Sequence, residues 1–148
     1  MSKMSSGNTQ GKTMSRESFV KFICKKAKSD KRIFLLTGDL GFGFLHKFAE
    51  KFPDRFINCG CIEQSMIGIA CGLVLAGKKP YVYSTSTFLL FRTWESIRND
   101  IAYQNLDVVL VGGCKQFNFL GYTHLIQNNE DLKLLRTLPR KIKYIRLK

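Results

Sequence analysis

The chain has 148 residues, 45% of them hydrophobic, with five cysteines and a formal net charge of +13. That length predicts one domain with enough apolar content to close a core. No apolar run is long and unbroken enough to cross a bilayer, and the polar opening Met1-Ser-Lys-Met-Ser-Ser lacks the apolar stretch of a secretory signal, so no membrane role is expected.

The charge is unevenly placed. Residues 1–32 carry nine Lys/Arg against two acids, residues 139–148 five bases and no acid, and residues 33–138 ten bases against nine acids. A nucleic-acid module spreads a basic stripe over its folded face. Here the basicity sits in the ends, so no specific nucleic-acid binding is expected, although basic ends can hold polyanions non-specifically. Residues 1–13, rich in Ser, Gly, Thr and Lys, predict a disordered basic tail before a domain spanning 14–148.

Ser15 is placed to cap a helix whose apolar positions Phe19, Phe22, Ile23 and Ala27 recur at helical spacing, ending at Ser29-Asp30. Arg32–Thr37 reads as a strand buried on both faces. Gly38–Gly43 is a strand-to-helix loop, followed by a short helix from Phe44 to Lys51 that Phe52-Pro53 stops. Arg55–Asn58 is a second strand. Glu63 opens a helix running to about Ala76, closed by Gly77. Residues 80–84 form a third strand, Phe88 to Ala102 a helix, Leu106–Val111 a fourth strand, Gly112–Asn129 an irregular loop, Glu130–Thr137 a short helix, and Ile142–Arg146 a fifth strand. This alternation predicts an α/β fold, a parallel sheet of about five or six strands with helices on both faces.

The helix from Glu63 is apolar all round: Met66, Ile67, Ile69, Ala70, Cys71, Leu73, Val74 and Leu75 leave no polar face. Such a helix is buried on all sides. One small domain cannot easily cover both faces, and Gly68 and Gly72 would let another helix approach closely. Self-association through this helix is therefore expected. The cysteines, odd in number and without a Cys-x-x-Cys, read as reduced, buried small apolar residues of a cytoplasmic protein. Cys59-x-Cys61 and the unpaired His46 and His124 do not have metal-ligand spacing, so no metal site is expected on this chain.

Glu63 is the only charged side chain between Arg55 and Lys78. A lone carboxylate in an apolar run is costly to bury without a partner, so it either points at water or is kept for chemistry. Six blocks bear on the choice: Leu36-Thr-Gly-Asp-Leu-Gly41, Lys51-Phe-Pro-Asp-Arg-Phe56, Gly60-Cys-Ile-Glu-Gln64, Thr87-Phe-Leu-Leu-Phe-Arg92, Ile97-Arg-Asn-Asp100 and Gly121-Tyr-Thr-His124. In this order, over roughly residues 15–139, they resemble the pyrimidine-binding domain of transketolases and deoxyxylulose-phosphate synthases.

The resemblance implies thiamine diphosphate as cofactor and a reaction moving a two-carbon ketol unit between sugars, sugar phosphates or related carbonyl compounds. It implies that Glu63 hydrogen-bonds the N1′ nitrogen of the cofactor's pyrimidine. Without the flanking blocks, Glu63 would read as an exposed helix-start acid favoured by the dipole. Phe91 matches the ring that stacks on the aminopyrimidine, with Phe88 and Trp94 completing the pocket; an aromatic stripe at this spacing is otherwise core. Asp39 matches an aspartate lining the cofactor cleft, and equally reads as a turn Asp bonding its own loop. His124 matches a substrate-side histidine. Two positions depart from the pattern: Gly113 stands where a second substrate histidine is usual, and Leu120 where an acid is usual. Arg92 and Arg98 could reach a phosphate, but a solvated or ion-paired helix face is the simpler reading of each.

The family's metal motif, Gly-Asp-Gly followed by Asn, does not occur in these 148 residues, and no third domain is expected after the last strand. The resemblance therefore implies a separate diphosphate-binding subunit that holds Mg2+ or Ca2+, in an α2β2 assembly. Two alternatives stand: a degenerate, non-catalytic pyrimidine domain kept for assembly or regulation, and a polyanion-binding protein.

Overall fold

A computed structural model describes residues 10–113, 126 and 128–148. Its six strands are β1 (Gln10–Met14), β2 (Ile33–Thr37), β3 (Phe56–Asn58), β4 (Lys79–Thr85), β5 (Val109–Gly113) and β6 (Lys143–Leu147). They form one parallel sheet in the order β1-β6-β5-β4-β2-β3. The doubly covered parallel sheet expected from the sequence is present.

Strand alternation divides the core into two layers. Leu35, Tyr83, Val111 and Ile145 face α1 (Arg16–Ser29) and α2 (His46–Lys51). Leu36, Val82, Leu110 and Tyr144 face α3 (Glu63–Leu75), the helical segment α4 (residues 87–103) and α5 (Glu130–Arg136). Ser15 caps α1 as its position predicted, its side chain accepting from the Ser18 N–H at 3.1 Å. Gly77, at a φ of 75°, ends α3, and its N–H bonds the Val74 carbonyl.

Three expectations are corrected. Residues 10–13 of the supposed tail belong to β1, which pairs with β6 from Gln10↔Tyr144 to Met14↔Leu147. Composition suggested a solvated tail, but the open edge of β6 supplies hydrogen-bond partners that a local reading cannot see. The helix expected over 88–102 is broken into wide turns at Thr87–Phe91 and Ile97–Tyr103, with Trp94–Ser96 between them. Thr93 contributes to the break, since its hydroxyl donates to the Leu89 carbonyl. Cys24 and Cys71 are buried and Cys59 is half-buried, but Cys61 is exposed, so buried packing does not describe all the cysteines. Burial pushes the Cys71 thiol up to about 11. Cys114 and the other residues of the Gly112–Asn129 stretch from 114 to 125 lie outside the described residues.

Helix α3 packs Met66, Ile67, Ala70 and Cys71 into the core. Its other side presents Ile69 and Leu75, with Ile62 just before the helix, all exposed. A Cβ at Gly68 or Gly72 would meet nothing within 4 Å. Among the described residues, nothing covers this apolar second face.

A polar chain ties the far strands together. The Ser86 and Tyr144 hydroxyls bond at 2.9 Å, and Tyr144 donates to the fully buried Asp131 at 3.0 Å. The Nε of Arg146 lies 2.9 Å from the same Asp131 oxygen. The Ser86–Tyr144 bond passes over Gly112 of β5, where a Cβ would overlap both hydroxyls. Gly112→Ala should therefore lower stability by roughly 2 kcal/mol, read as a shift in the urea midpoint without a change in slope. Among the four described cysteines, thiol alkylation of the folded chain should reach Cys61 first, while Cys24 and Cys71 react only on unfolding, which mass mapping of partly labelled protein would reveal.

Candidate active site

The sheet order fixes where a site can form. From β2 the chain moves outward to β3, then crosses back so that β4 lies on the other side of β2. The carboxyl ends of β2 and β4 therefore border the point where the winding direction reverses, the usual binding crevice of an open parallel sheet. Gly38 follows β2 there, Ser84 lies near the end of β4, and Glu63 opens α3 above them.

Glu63 is 2% exposed, so it does not point at water. Its Oε1 accepts from the Ser84 hydroxyl at 3.1 Å. Its Oε2 lies 3.3 Å from a guanidinium nitrogen of Arg92. A Cβ on Gly38 would stand 3.2 Å from Oε1, so the residue after β2 must be small for the carboxylate to lie against the backbone. The position is also the first residue of α3, where the helix dipole favours a carboxylate. One oxygen thus faces the protein, and the other faces a side chain that is itself half exposed.

The three aromatic residues occupy different environments. Phe88 is half-buried, with the Arg92 guanidinium 4.8 Å from its ring centroid. Phe91 is 45% exposed. Trp94 packs against the core layer of α3, α4 and α5.

Asp39 sits just beyond Gly38 with a φ of 55°, a left-handed conformation that Asp tolerates better than most residues. It does not simply bond its own loop: the Asn58 side-chain amide donates to Asp39 Oδ1 at 3.0 Å and its oxygen accepts from the Asp39 N–H at 3.0 Å. That same oxygen accepts from the Gly60 N–H at 3.1 Å. Asn58 thereby links the loop after β2 to the connection that leads into Glu63. His124 and Leu120 lie outside the described residues. Gly113, buried, ends β5. Arg98 bonds Asn99 and the Tyr103 hydroxyl on an exposed helix face, in keeping with the simpler of its two readings.

Sequence patterning did not single out Ser84 or Asn58. Both are polar residues at or near the carboxyl end of a strand whose earlier positions are apolar, a signal that parallel-sheet topology makes meaningful. Among the described residues no group of three His, Cys, Asp or Glu side chains could hold a metal ion. The groups present are a buried carboxylate held by Ser84 and bordered by Gly38, and an exposed phenyl ring at Phe91.

Known proteins with similar sequences point the same way. The family described as transketolase, pyrimidine binding domain, matches residues 12–146. A subunit of an apulose-4-phosphate transketolase from Phocaeicola vulgatus is 35% identical over 127 residues, which cover 84% of this chain and 40% of that protein. A putative transketolase C-terminal section from Methanocaldococcus jannaschii is 35% identical, covering 86% of this chain and 40% of that protein. A 1-deoxy-D-xylulose-5-phosphate synthase from Symbiobacterium thermophilum is 35% identical, covering 85% of this chain and 19% of that protein. A solved structure of a split gene transketolase, an inactive beta4 tetramer, superposes with a TM-score of 0.77 at 30% identity, covering 89% of this chain and 50% of that one. The chain spans about 40% of the length of the first two of these curated relatives.

Ser84→Ala removes the hydroxyl that bonds Glu63 Oε1. It should cost roughly 1–2 kcal/mol of stability in denaturant titration, and less when Glu63→Gln is already present, because the two groups share one interaction.

Proposed function

The chain belongs to the transketolase pyrimidine-binding-domain family, and on that premise we propose that it is one half of a two-chain, thiamine-diphosphate-dependent enzyme moving a two-carbon ketol unit between sugars, sugar phosphates or related carbonyl compounds. The observation that carries the proposal is the buried Glu63 carboxylate at the β2/β4 crevice, one oxygen tied to Ser84 and the other directed outward. A bound cofactor would supply the nucleophilic carbon needed for ketol transfer.

The protein's part is placement and proton control. Glu63 hydrogen-bonds the pyrimidine N1′ and shares a proton with it, which tunes the basicity of the ring's amino group. Ser84 holds Glu63 Oε1, so that Oε2 presents a fixed direction. Phe91 offers its exposed ring as a stacking surface, contributing about 1 kcal/mol beyond area burial, with Phe88 and Trp94 forming the pocket wall. Asp39, fixed by Asn58, lines the cleft. His124 acts on the substrate side, on hydroxyls or in proton transfer.

The diphosphate and its Mg2+ or Ca2+ are assigned to a partner chain in an α2β2 assembly, with the uncovered face of α3 as a surface for subunit contact. The naming of one relative as a subunit supports a divided enzyme. Reduced thiols suit a cytoplasmic setting. A second reading is a non-catalytic pyrimidine domain retained for assembly, and one observation favours it: Gly113 ends β5 where the family usually carries a substrate histidine.

The deciding experiment is a native pull-down in magnesium and thiamine diphosphate. A stoichiometric diphosphate-binding partner, with cofactor retained only by the pair, supports the enzyme. In that complex Glu63→Gln should lower ketol transfer by roughly 10²- to 10⁴-fold while the chain stays folded and cooperative in its unfolding. Normal turnover by Glu63→Gln would sink the catalytic reading, and a complex without bound cofactor would favour the assembly role.

A further inference from the structure

Arg92 makes two contacts that the proposed mechanism does not use. Its guanidinium lies 3.3 Å from Glu63 Oε2, and it stacks 4.8 Å from the centre of the Phe88 ring. A planar, cationic N–H donor that bonds the outward oxygen of Glu63 while lying on Phe88 shares the carboxylate contact of a protonated aminopyrimidine and occupies the aromatic wall beside its stacking ring, Phe91. The guanidinium is flat, delocalised and weakly hydrated, which suits it to both at once. Its side chain is 55% exposed while that of Glu63 is 3% exposed, so the pair has one fixed and one movable member. The movable member hangs on a long flexible stem at the crevice mouth.

The two groups have conflicting requirements. A buried carboxylate needs a compensating partner when nothing else occupies the crevice. A carboxylate oxygen that must bond a ring nitrogen cannot keep a guanidinium in the same place, because the two donors would compete for one position at the crevice mouth. We propose that Arg92 is a displaceable stand-in for the cofactor's pyrimidine ring: it neutralises Glu63 and covers Phe88 in the empty chain, and swings into solvent when the ring arrives. The inference rests on the cofactor reading of Glu63. Arg92 is on this account a residue that sets cofactor affinity, and it takes no part in the chemical step.

The cost of displacement is modest, since an ion pair with an exposed cation is a weak competitor. It also has a consequence for the empty protein. Without Arg92 the carboxylate keeps the Ser84 hydroxyl but loses the guanidinium that balances its charge, so the crevice is more open and more in need of a ligand.

The test titrates the full chain with thiamine, which carries the aminopyrimidine without the diphosphate. Binding is followed by calorimetry and by fluorescence of Trp94, the single tryptophan. Arg92→Ala should bind roughly two- to fivefold tighter than the parent chain, the range of one partly exposed ion pair. Arg92→Lys, which keeps the charge on Glu63, should stay close to the parent. Glu63→Gln should bind more weakly than the parent. If Arg92→Ala binds no tighter, or not at all, the stand-in is overturned; should Glu63→Gln still weaken binding in that case, the cofactor reading survives alone. Equal affinity in the parent and Glu63→Gln would overturn the cofactor reading and this inference with it.

Discussion

The interaction on which the rest depends is the burial of one carboxylate. Glu63 sits 2% exposed in a segment with no other charge, and a buried anion is tolerable only if its oxygens are met by donors. Ser84 and Arg92 meet them, one from the sheet and one from the helical segment beyond it. Gly38 supplies the space. Four elements therefore have to arrive together: the ends of β2 and β4, the start of α3 and the first turn of α4. Disturbing any one of them leaves a charge uncompensated. A structural motive alone would not retain such a group, because an apolar residue of similar size would satisfy the same packing at no electrostatic cost.

The parallel sheet brings these elements to one edge. Every strand runs the same way, so every strand's carboxyl end, and the loop that follows it, lies on one side of the molecule. Polar side chains collect there: Thr37 and Asn58 beside Asp39, Ser84 beneath Glu63, and Ser86 in the chain that reaches Tyr144, Asp131 and Arg146. The amino-terminal edge carries a different kind of contact, with Asp30 accepting from both Arg32 and Lys79. These donors hold the Asp30 carboxyl well below the usual carboxylate range, Arg32 being the larger cause. One edge is tied by surface ion pairs, while the other gathers polar groups, of which Thr37, Glu63, Ser84, Ser86 and Asp131 are buried.

Three features lie at or near the start of α3 and α4. The Oε2 of Glu63 meets the half-exposed Arg92, and Phe91, just before Arg92 in the chain, is 45% exposed. The apolar face of α3 begins beside the β2/β4 crevice, with Ile62 adjoining Glu63 and Ile69 and Leu75 continuing it. A surface that covered this face would also be well placed to reach the crevice. The buried carboxylate and the uncovered apolar face thus belong to the same helix.

Much of this was legible in the residues. Strand and helix types followed from apolar alternation between short loops, and Ser15, Gly77 and Pro53 marked their ends correctly, because capping and backbone restriction are local effects. Glu63 stood out because a single charge in an apolar run has few explanations. What the sequence could not decide was set by contacts between distant segments. Residues 10–13 became a strand because β6 offered an open edge. Residues 88–102 did not form one regular helix, as Thr93 took the Leu89 carbonyl and the turns widened. Cys61 was left exposed, and Asp39 found Asn58 nineteen residues away. The pairing of Glu63 with Arg92 belongs to the same class, since composition places two opposite charges in a chain but only the folded sheet brings them within 3.3 Å. Local propensity and periodicity thus determined which elements exist and which residue invited chemistry, while the partners that compensate that residue's charge were decided by tertiary structure, because electrostatic pairing acts through space and not along the chain.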